Sequence, residues 1–145
     1  MDIKKWKVLL VEDEFRIGLM IKKLIKWDEI GLEFAGLAEN GEIALNLIEN
    51  EKPDIVITDI RMPKIGGLEL ISLAKQKNDN IKFVIITGYK EFEYAHKALQ
   101  YGVNDYLLKP VNEEELNKVL RKIQTELSQK HKEEENIIKT VSASQ

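Results

Sequence analysis

The sequence predicts an α/β fold in which five parallel strands alternate strictly with five helices wound on both faces of one sheet. Three observations predict it. Short apolar runs alternate with segments whose apolar residues recur at the helical period, as repeated strand–helix units require. The run Ile55-Val56-Ile57 is continuous and β-branched, as expected of a strand covered on both faces. A length of 145 residues suits one domain with a real core and is too short for two.

Val8-Leu9-Leu10-Val11 is the first apolar run. Ile17, Met20, Ile21, Leu24 and Ile25 then fall on one face at the helical period. Leu32 to Ala38 reads as a second strand, more mixed in composition and so nearer an edge. Gly41 to Asn50 reads as a helix with Ile43, Leu47 and Ile48 inward, closed by Lys52-Pro53. The third strand, Ile55-Val56-Ile57, runs into a turn containing Pro63, Gly66 and Gly67, where the glycine pair reads as turn chemistry. A helix carrying Leu68, Leu70, Ile71 and Leu73 follows, then the fourth strand, Phe83-Val84-Ile85-Ile86. A short helix is expected from about Glu91 to Tyr101, with Gly102 suited to its C-terminal cap. Tyr106-Leu107-Leu108 is the fifth strand and ends at Lys109-Pro110. The last helix starts near Asn112, a good N-cap, with Glu113, Glu114 and Glu115 at its positive end. The whole is a flavodoxin-like doubly wound sheet of order 2-1-3-4-5; right-handed crossovers limit the alternatives without singling this order out.

Composition narrows the function classes. The chain is 43% hydrophobic and 32% charged, as a soluble globular protein is. A net charge of −3 argues against a domain built for nucleic-acid backbones. There are no cysteines, which removes disulfides, thiolate metal sites and cysteine nucleophiles. The apolar run after the N-terminal lysines meets Glu12 and Asp13 at once, too soon for a signal peptide. No stretch approaches the roughly 20 apolar residues of a membrane-spanning helix, so a cytoplasmic protein without membrane contact is expected. Past about Leu127 the character changes. Leu116, Leu120, Ile123 and Leu127 keep a 4-3-4 spacing, Lys130 and Glu134 interrupt it, and Ile137 and Val141 return to register. Two readings stay open: an interrupted coiled coil or helical linker, and a fraying helix with a disordered tail. The expected division is 1–126 for the domain and 127–145 for the extension.

The polar residues collect where ligands bind in such sheets, beyond the carboxyl ends of the strands. Strand one ends in Glu12-Asp13, strand three in Asp59, strand four in Thr87 and strand five in Lys109. Three clustered carboxylates repel one another near neutral pH unless something compensates. Mg²⁺ does so naturally, with oxygen ligands, retained waters and a shared phosphate. No His or Cys lies near these strand ends, which disfavours zinc. An Asp with a metal, a hydroxyl and a lysine around it suits phosphoryl transfer, the carboxylate attacking phosphorus to form an acyl phosphate. Asp59 is the best nucleophile, because it follows the most central strand and leads into the Pro/Gly turn. Glu12 and Asp13 are the better metal ligands, and Thr87 and Lys109 would stabilise charge on the phosphoryl oxygens. Taken singly, each has a plainer reading: Asp59 as a turn residue, Glu12 or Asp13 as a helix cap, Thr87 as a locally satisfied hydroxyl, Lys109 as a solvated lysine. His96 and His131 read as polar-face and tail residues, and Trp6 and Trp27 as edge packing.

The segments VLLVEDE, DIVITDIRMPKIGGLEL, VIITGY and DYLLKPV resemble, in order, the motifs of response-regulator receiver domains over about residues 5 to 125. The resemblance implies that Glu12 and Asp13 form an acidic Mg²⁺ pocket and that Asp59 is the phosphoacceptor. It makes the Arg61 backbone carbonyl a further metal ligand, Thr87 and Lys109 the phosphoryl contacts, and Tyr106 the switch aromatic. The family's Lys-Pro bond is commonly cis, which extends to Lys109-Pro110. Glu for Asp at position 12 is a familiar variant, and no core position departs from the pattern. A partner sensor histidine kinase would be the phosphodonor. Phosphorylation would draw Thr87 and Tyr106 toward the phosphate and bias the face of helix 4, strand 5 and helix 5, a possible homodimer surface. Such a chain is not an enzyme toward other molecules; it catalyses only its own phosphotransfer and dephosphorylation. FEYAHKALQYGVNDYLLKPV is similar to receivers joined to AraC-type helix-turn-helix domains. The expectation is therefore a fragment cut within a linker helix, touching DNA only through an absent output domain.

Two other classes compete. A haloacid-dehalogenase-like phosphatase also uses a strand-end Asp and Mg²⁺, but places a second Asp two residues on, where this chain has Arg61. A flavodoxin needs a Ser-, Thr- or Gly-rich phosphate loop after the first strand, and here that loop is Glu-Asp-Glu.

Overall fold

The computed structural model describes residues 4–88, 93, 96–97, 100 and 102–143. Five strands, β1 (Trp6–Val11), β2 (Leu32–Ala38), β3 (Ile55–Asp59), β4 (Lys82–Thr87) and β5 (Asp105–Leu108), form one sheet of order β2-β1-β3-β4-β5. Every pairing is parallel. The helices are α1 (Phe15–Leu24), α2 (Gly41–Glu51), α3 (Gly67–Lys77), α4, marked by the helical residues Glu93, His96, Lys97 and Gln100, and α5 (Glu113–Ala143). The bounds expected for α4, Glu91 to Tyr101, fall on residues outside the described set. The doubly wound fold and strand order are those the sequence predicts.

Strand alternation divides the core in two. Val8, Leu10, Ile55, Ile57, Val84 and Ile86 face one way, covered by Ile21 of α1 and by Leu116, Leu120, Ile123 and Leu127 of α5. Leu9, Val56, Phe83 and Ile85 face the other, covered by Ala44 and Ile48 of α2 and by Leu70, Ile71 and Ala74 of α3. Burying each large apolar side chain contributes about 1.5–3 kcal/mol, so strands and covering helices both hold the sheet in place.

The helical faces differ from the sequence reading at two positions. Ile43 and Met20, expected inward, are 41% and 43% exposed. In α2 the inward face is Gly41, Ala44 and Ile48, a 3-4 spacing that leaves Ile43 on the flank. In α1, Gly18 and Ile21 are the buried pair, and a Cβ on Gly18 would stand 2.7 Å from Leu37 Cδ1. The glycine thus lets α1 lie against β2 and turns Met20 outward. Three further features were not expected: β1 begins at Trp6, a single helical turn occupies Trp27–Ile30, and Glu14, not Glu12 or Asp13, is the N-cap of α1.

The α5 helix is 31 residues long and unbroken to Ala143. No Gly or Pro interrupts its second half, which is rich in Lys and Glu, both good helix formers. Its root is tied down by Asn117, 2% exposed. The Asn117 amide donates to the Leu24 and Glu113 carbonyls, and its oxygen accepts from the Lys26 N–H at 2.9 Å. At the helix start, Asn112 accepts from the Glu115 N–H as an N-cap.

Candidate functional site

The chain runs outward from β1 to β2 and then returns to β3, so the connections leaving β1 and β3 diverge and open a crevice beyond their carboxyl ends. Glu12 and Asp13 follow β1 directly, and Asp59 ends β3. Carboxylate oxygens of Glu12, Asp13 and Asp59 lie within 4.8 Å of one another, the one such cluster among the described residues. Glu12 and Asp59 are buried and Asp13 is exposed.

Main-chain bonds fix this geometry. The Glu12 N–H donates to the Ala38 carbonyl of β2, Ile60 N–H to Ile86 of β4, and Lys109 N–H to Thr87. Lys109 follows β5, is joined to Pro110 by a cis peptide bond, and reaches back into the pocket. Its Nζ donates to Asp59 Oδ2 at 2.9 Å and lies 3.5 Å from Glu12 Oε2.

Glu12 is the strained member electrostatically. Its Oε1 accepts from the Glu14 N–H at 3.2 Å, but Oε2 is buried and takes no hydrogen bond. The Lys109 ammonium is near enough to attract Oε2 without being aimed at it. Burial, and then the Asp59 charge, push the Glu12 carboxyl from 4.5 up to about 7. Burial pulls the Lys109 ammonium down, but the hydrogen bond and charge of Asp59, with the Glu12 charge, outweigh it and raise its pKa. A buried carboxylate oxygen without a donor, beside two further carboxylates, is the donor set of a hard divalent cation. The residues present fit Mg²⁺.

Of the other residues singled out in the sequence, Thr87 is fully buried at the end of β4, and its hydroxyl donates to the Gly88 carbonyl at 3.1 Å. Arg61 is exposed in the loop two residues beyond Asp59. Tyr106 is half-buried beside Ile85 and packs against the apolar cluster under α2 and α3. His131 pairs with Glu135 at 3.0 Å and meets Trp6 edge-on, far from this chemistry in the fold. The sequence reading passed over Gly67 as a turn residue. It opens α3 directly against the Asp59 main chain, a closeness that only the packing reveals.

A doubly wound sheet with an acidic, lysine-capped pocket at its switch point defines a class of α/β protein able to hold a divalent cation beside a strand-end aspartate. The family model described as response regulator receiver domain matches residues 8–121, and the chain belongs to that family. It is 41% identical over 122 residues to the uncharacterized transcriptional regulatory protein YesN of Bacillus subtilis, covering 84% of this chain and 33% of that protein. It is 37% identical over 125 residues to the transcriptional regulatory protein HptR of Staphylococcus aureus, covering 86% of this chain and 49% of HptR. The chain thus spans a third to a half of these relatives' length. Among solved structures, the receiver domain of AraT, a response regulator from Geobacillus stearothermophilus, superposes with a TM-score of 0.83 at 40% identity. That match covers 87% of this chain and 98% of the AraT domain. Among the described residues no helix is long and apolar enough to cross a membrane.

Proposed function

We propose that this receiver is switched by phosphorylation of Asp59, with a partner sensor histidine kinase as donor and Mg²⁺ as cofactor. The observation that carries the reading is the convergence of Glu12, Asp13 and Asp59 within 4.8 Å, with Lys109 Nζ 2.9 Å from Asp59. An Asp59 carboxylate oxygen attacks phosphorus while the bond from phosphorus to the donor nitrogen breaks, and that nitrogen leaves with the electron pair. Glu12, Asp13, Asp59 and the Arg61 carbonyl would hold Mg²⁺, which when bound supplies positive charge against the phosphoryl oxygens. The Lys109 ammonium, already on Asp59, holds the carboxylate in place and takes a phosphoryl oxygen as the acyl phosphate forms. The Thr87 hydroxyl, turning from Gly88, takes another. Water later hydrolyses the acyl phosphate in the same pocket, so the only chemistry is the receiver's own phosphorylation and dephosphorylation.

Thr87 and Tyr106 couple the pocket to the face of α4, β5 and α5, which becomes the homodimer surface. Residues 1–126 form the switch, and 127–145 carry its state toward an output domain. The names of YesN and HptR support a transcriptional output; on this reading the protein works in the cytoplasm, and DNA is contacted by the output domain and not by this one.

The test is intact mass after incubation with acetyl phosphate, with and without Mg²⁺, beside Asp59→Asn. The expected result is a Mg²⁺-dependent gain of one phosphoryl group, absent in the variant. A gain that persists in Asp59→Asn would overturn the assignment.

A further inference from the structure

Gly66 and Gly67 end the loop that follows Asp59, and their surroundings differ. Gly66 has φ −77° and ψ 172°, a conformation any residue adopts. A Cβ there would meet only the Ile60 carbonyl oxygen, at 3.3 Å, which a small shift relieves. Gly67 is the first residue of α3. A Cβ there would overlap the Asp59 carbonyl oxygen and stand 2.9 Å from Ile60 Cα and 3.2 Å from the Asp59 carbonyl carbon. All three are main-chain atoms, so no side-chain rotation makes room.

The two segments are also bonded together. The Gly67 N–H donates to the Ile60 carbonyl at 2.8 Å, and the Ile60 N–H donates to Ile86 of β4 at 3.2 Å. The end of β3 is therefore held between α3 and β4. A side chain at position 67 must either lift α3, whose Leu70 and Ile71 are fully buried, or displace the Asp59 main chain.

We propose that Gly67 is a positioning residue for the acidic pocket. Its missing side chain lets the start of α3 rest on the Asp59 main chain and so sets the spacing of the Asp59 carboxylate to Glu12, Asp13 and Lys109. The inference rests on Asp59 being both phosphoacceptor and cation ligand. Small displacements matter there, because a small octahedral cation such as Mg²⁺ tolerates little change in its oxygen distances and in-line attack little change in direction.

The experiment compares the full chain with Gly66→Ala, Gly67→Ala and Leu70→Ala. Mn²⁺ affinity is read by electron paramagnetic resonance, and phosphorylation rate by intact mass with acetyl phosphate. Gly67→Ala is expected to weaken Mn²⁺ binding at least tenfold and to slow phosphorylation, although Ala is the better helix former. Gly66→Ala should stay within twofold of the parent. Leu70→Ala loses core packing on the same helix and leaves the glycine at its start in place, and should keep its Mn²⁺ affinity. Melting temperatures with and without Mn²⁺ keep the comparison open for a variant of low stability. Parent-like binding in Gly67→Ala, or equal losses in Leu70→Ala, would overturn the inference. A parent protein that neither binds Mn²⁺ nor takes a phosphoryl group would instead sink the functional reading beneath it.

Discussion

Glu12 pairs near-complete enclosure with an oxygen that has no donor, and its carboxyl is pushed from 4.5 up to about 7 by burial and then by Asp59. Between those two values the folded, metal-free protein holds a proton that the unfolded chain has released. Its stability therefore falls as pH rises through that window. A cation in the pocket competes with the same proton, so its affinity should fall as pH drops through about 7. For one competing proton the expected loss is about tenfold between pH 8 and pH 6, measured by calorimetric titration with Mn²⁺. In Glu12→Gln binding should be weaker at both pH values and nearly independent of pH. A parent affinity equal at the two would contradict this account. The positions of Glu12, Asp13, Asp59 and Lys109 were legible in the sequence because each lies within two residues of the end of an apolar run. The orphaned oxygen and the raised pKa were not, since both depend on how deeply Glu12 is enclosed.

At the scale of elements, strands read better than helices. Ile55 to Ile57 and Phe83 to Ile86 are covered on both faces, so every residue is apolar and no phase has to be chosen. A helix requires its phase, and mixed apolar residues leave that ambiguous, which is how Met20 and Ile43 were set inward. Neighbouring glycines decide it: Gly18 and Gly41 allow the close approaches that turn those residues out. Asn117 was illegible for a related reason, because a polar residue beside Leu116 looks like solvent-facing helix. Two of its three hydrogen bonds join α5 to the chain at the end of α1, and Asn117→Ala leaves the Leu24 carbonyl and Lys26 N–H without that partner. The expected cost is about 2–3 kcal/mol, seen as a lower urea midpoint with an unchanged slope. A change within about 0.5 kcal/mol, the range of ordinary surface substitutions, would place the anchor elsewhere.

Across the whole molecule, alternation of strand and helix made the fold legible, and the reversal at β1 and β3 put the pocket where it is. The same topology ties ligand binding to global stability, because the pocket is built from the ends of four strands that share one core. Mg²⁺ at a hundredfold excess over its dissociation constant should stabilise the fold by about 2.7 kcal/mol. A thermal melt should show this as a rise of several degrees, much reduced in Glu12→Gln. An unchanged melting temperature at saturating Mg²⁺ would mean that the cation binds folded and unfolded chains alike.

The long α5 helix turns its anchored root into the fulcrum of a lever. Leu116, Leu120, Ile123 and Leu127 are gripped by the core, whereas residues 132–143 are exposed throughout. At 1.5 Å per residue that outer arm is roughly 18 Å long. A tilt of about 10° at the fulcrum would carry the tip about 3 Å sideways, a distance comparable to the step between neighbouring strand residues. A tilt too small to disturb the packing at the root would thus become a displacement of several ångströms at the far end of the arm.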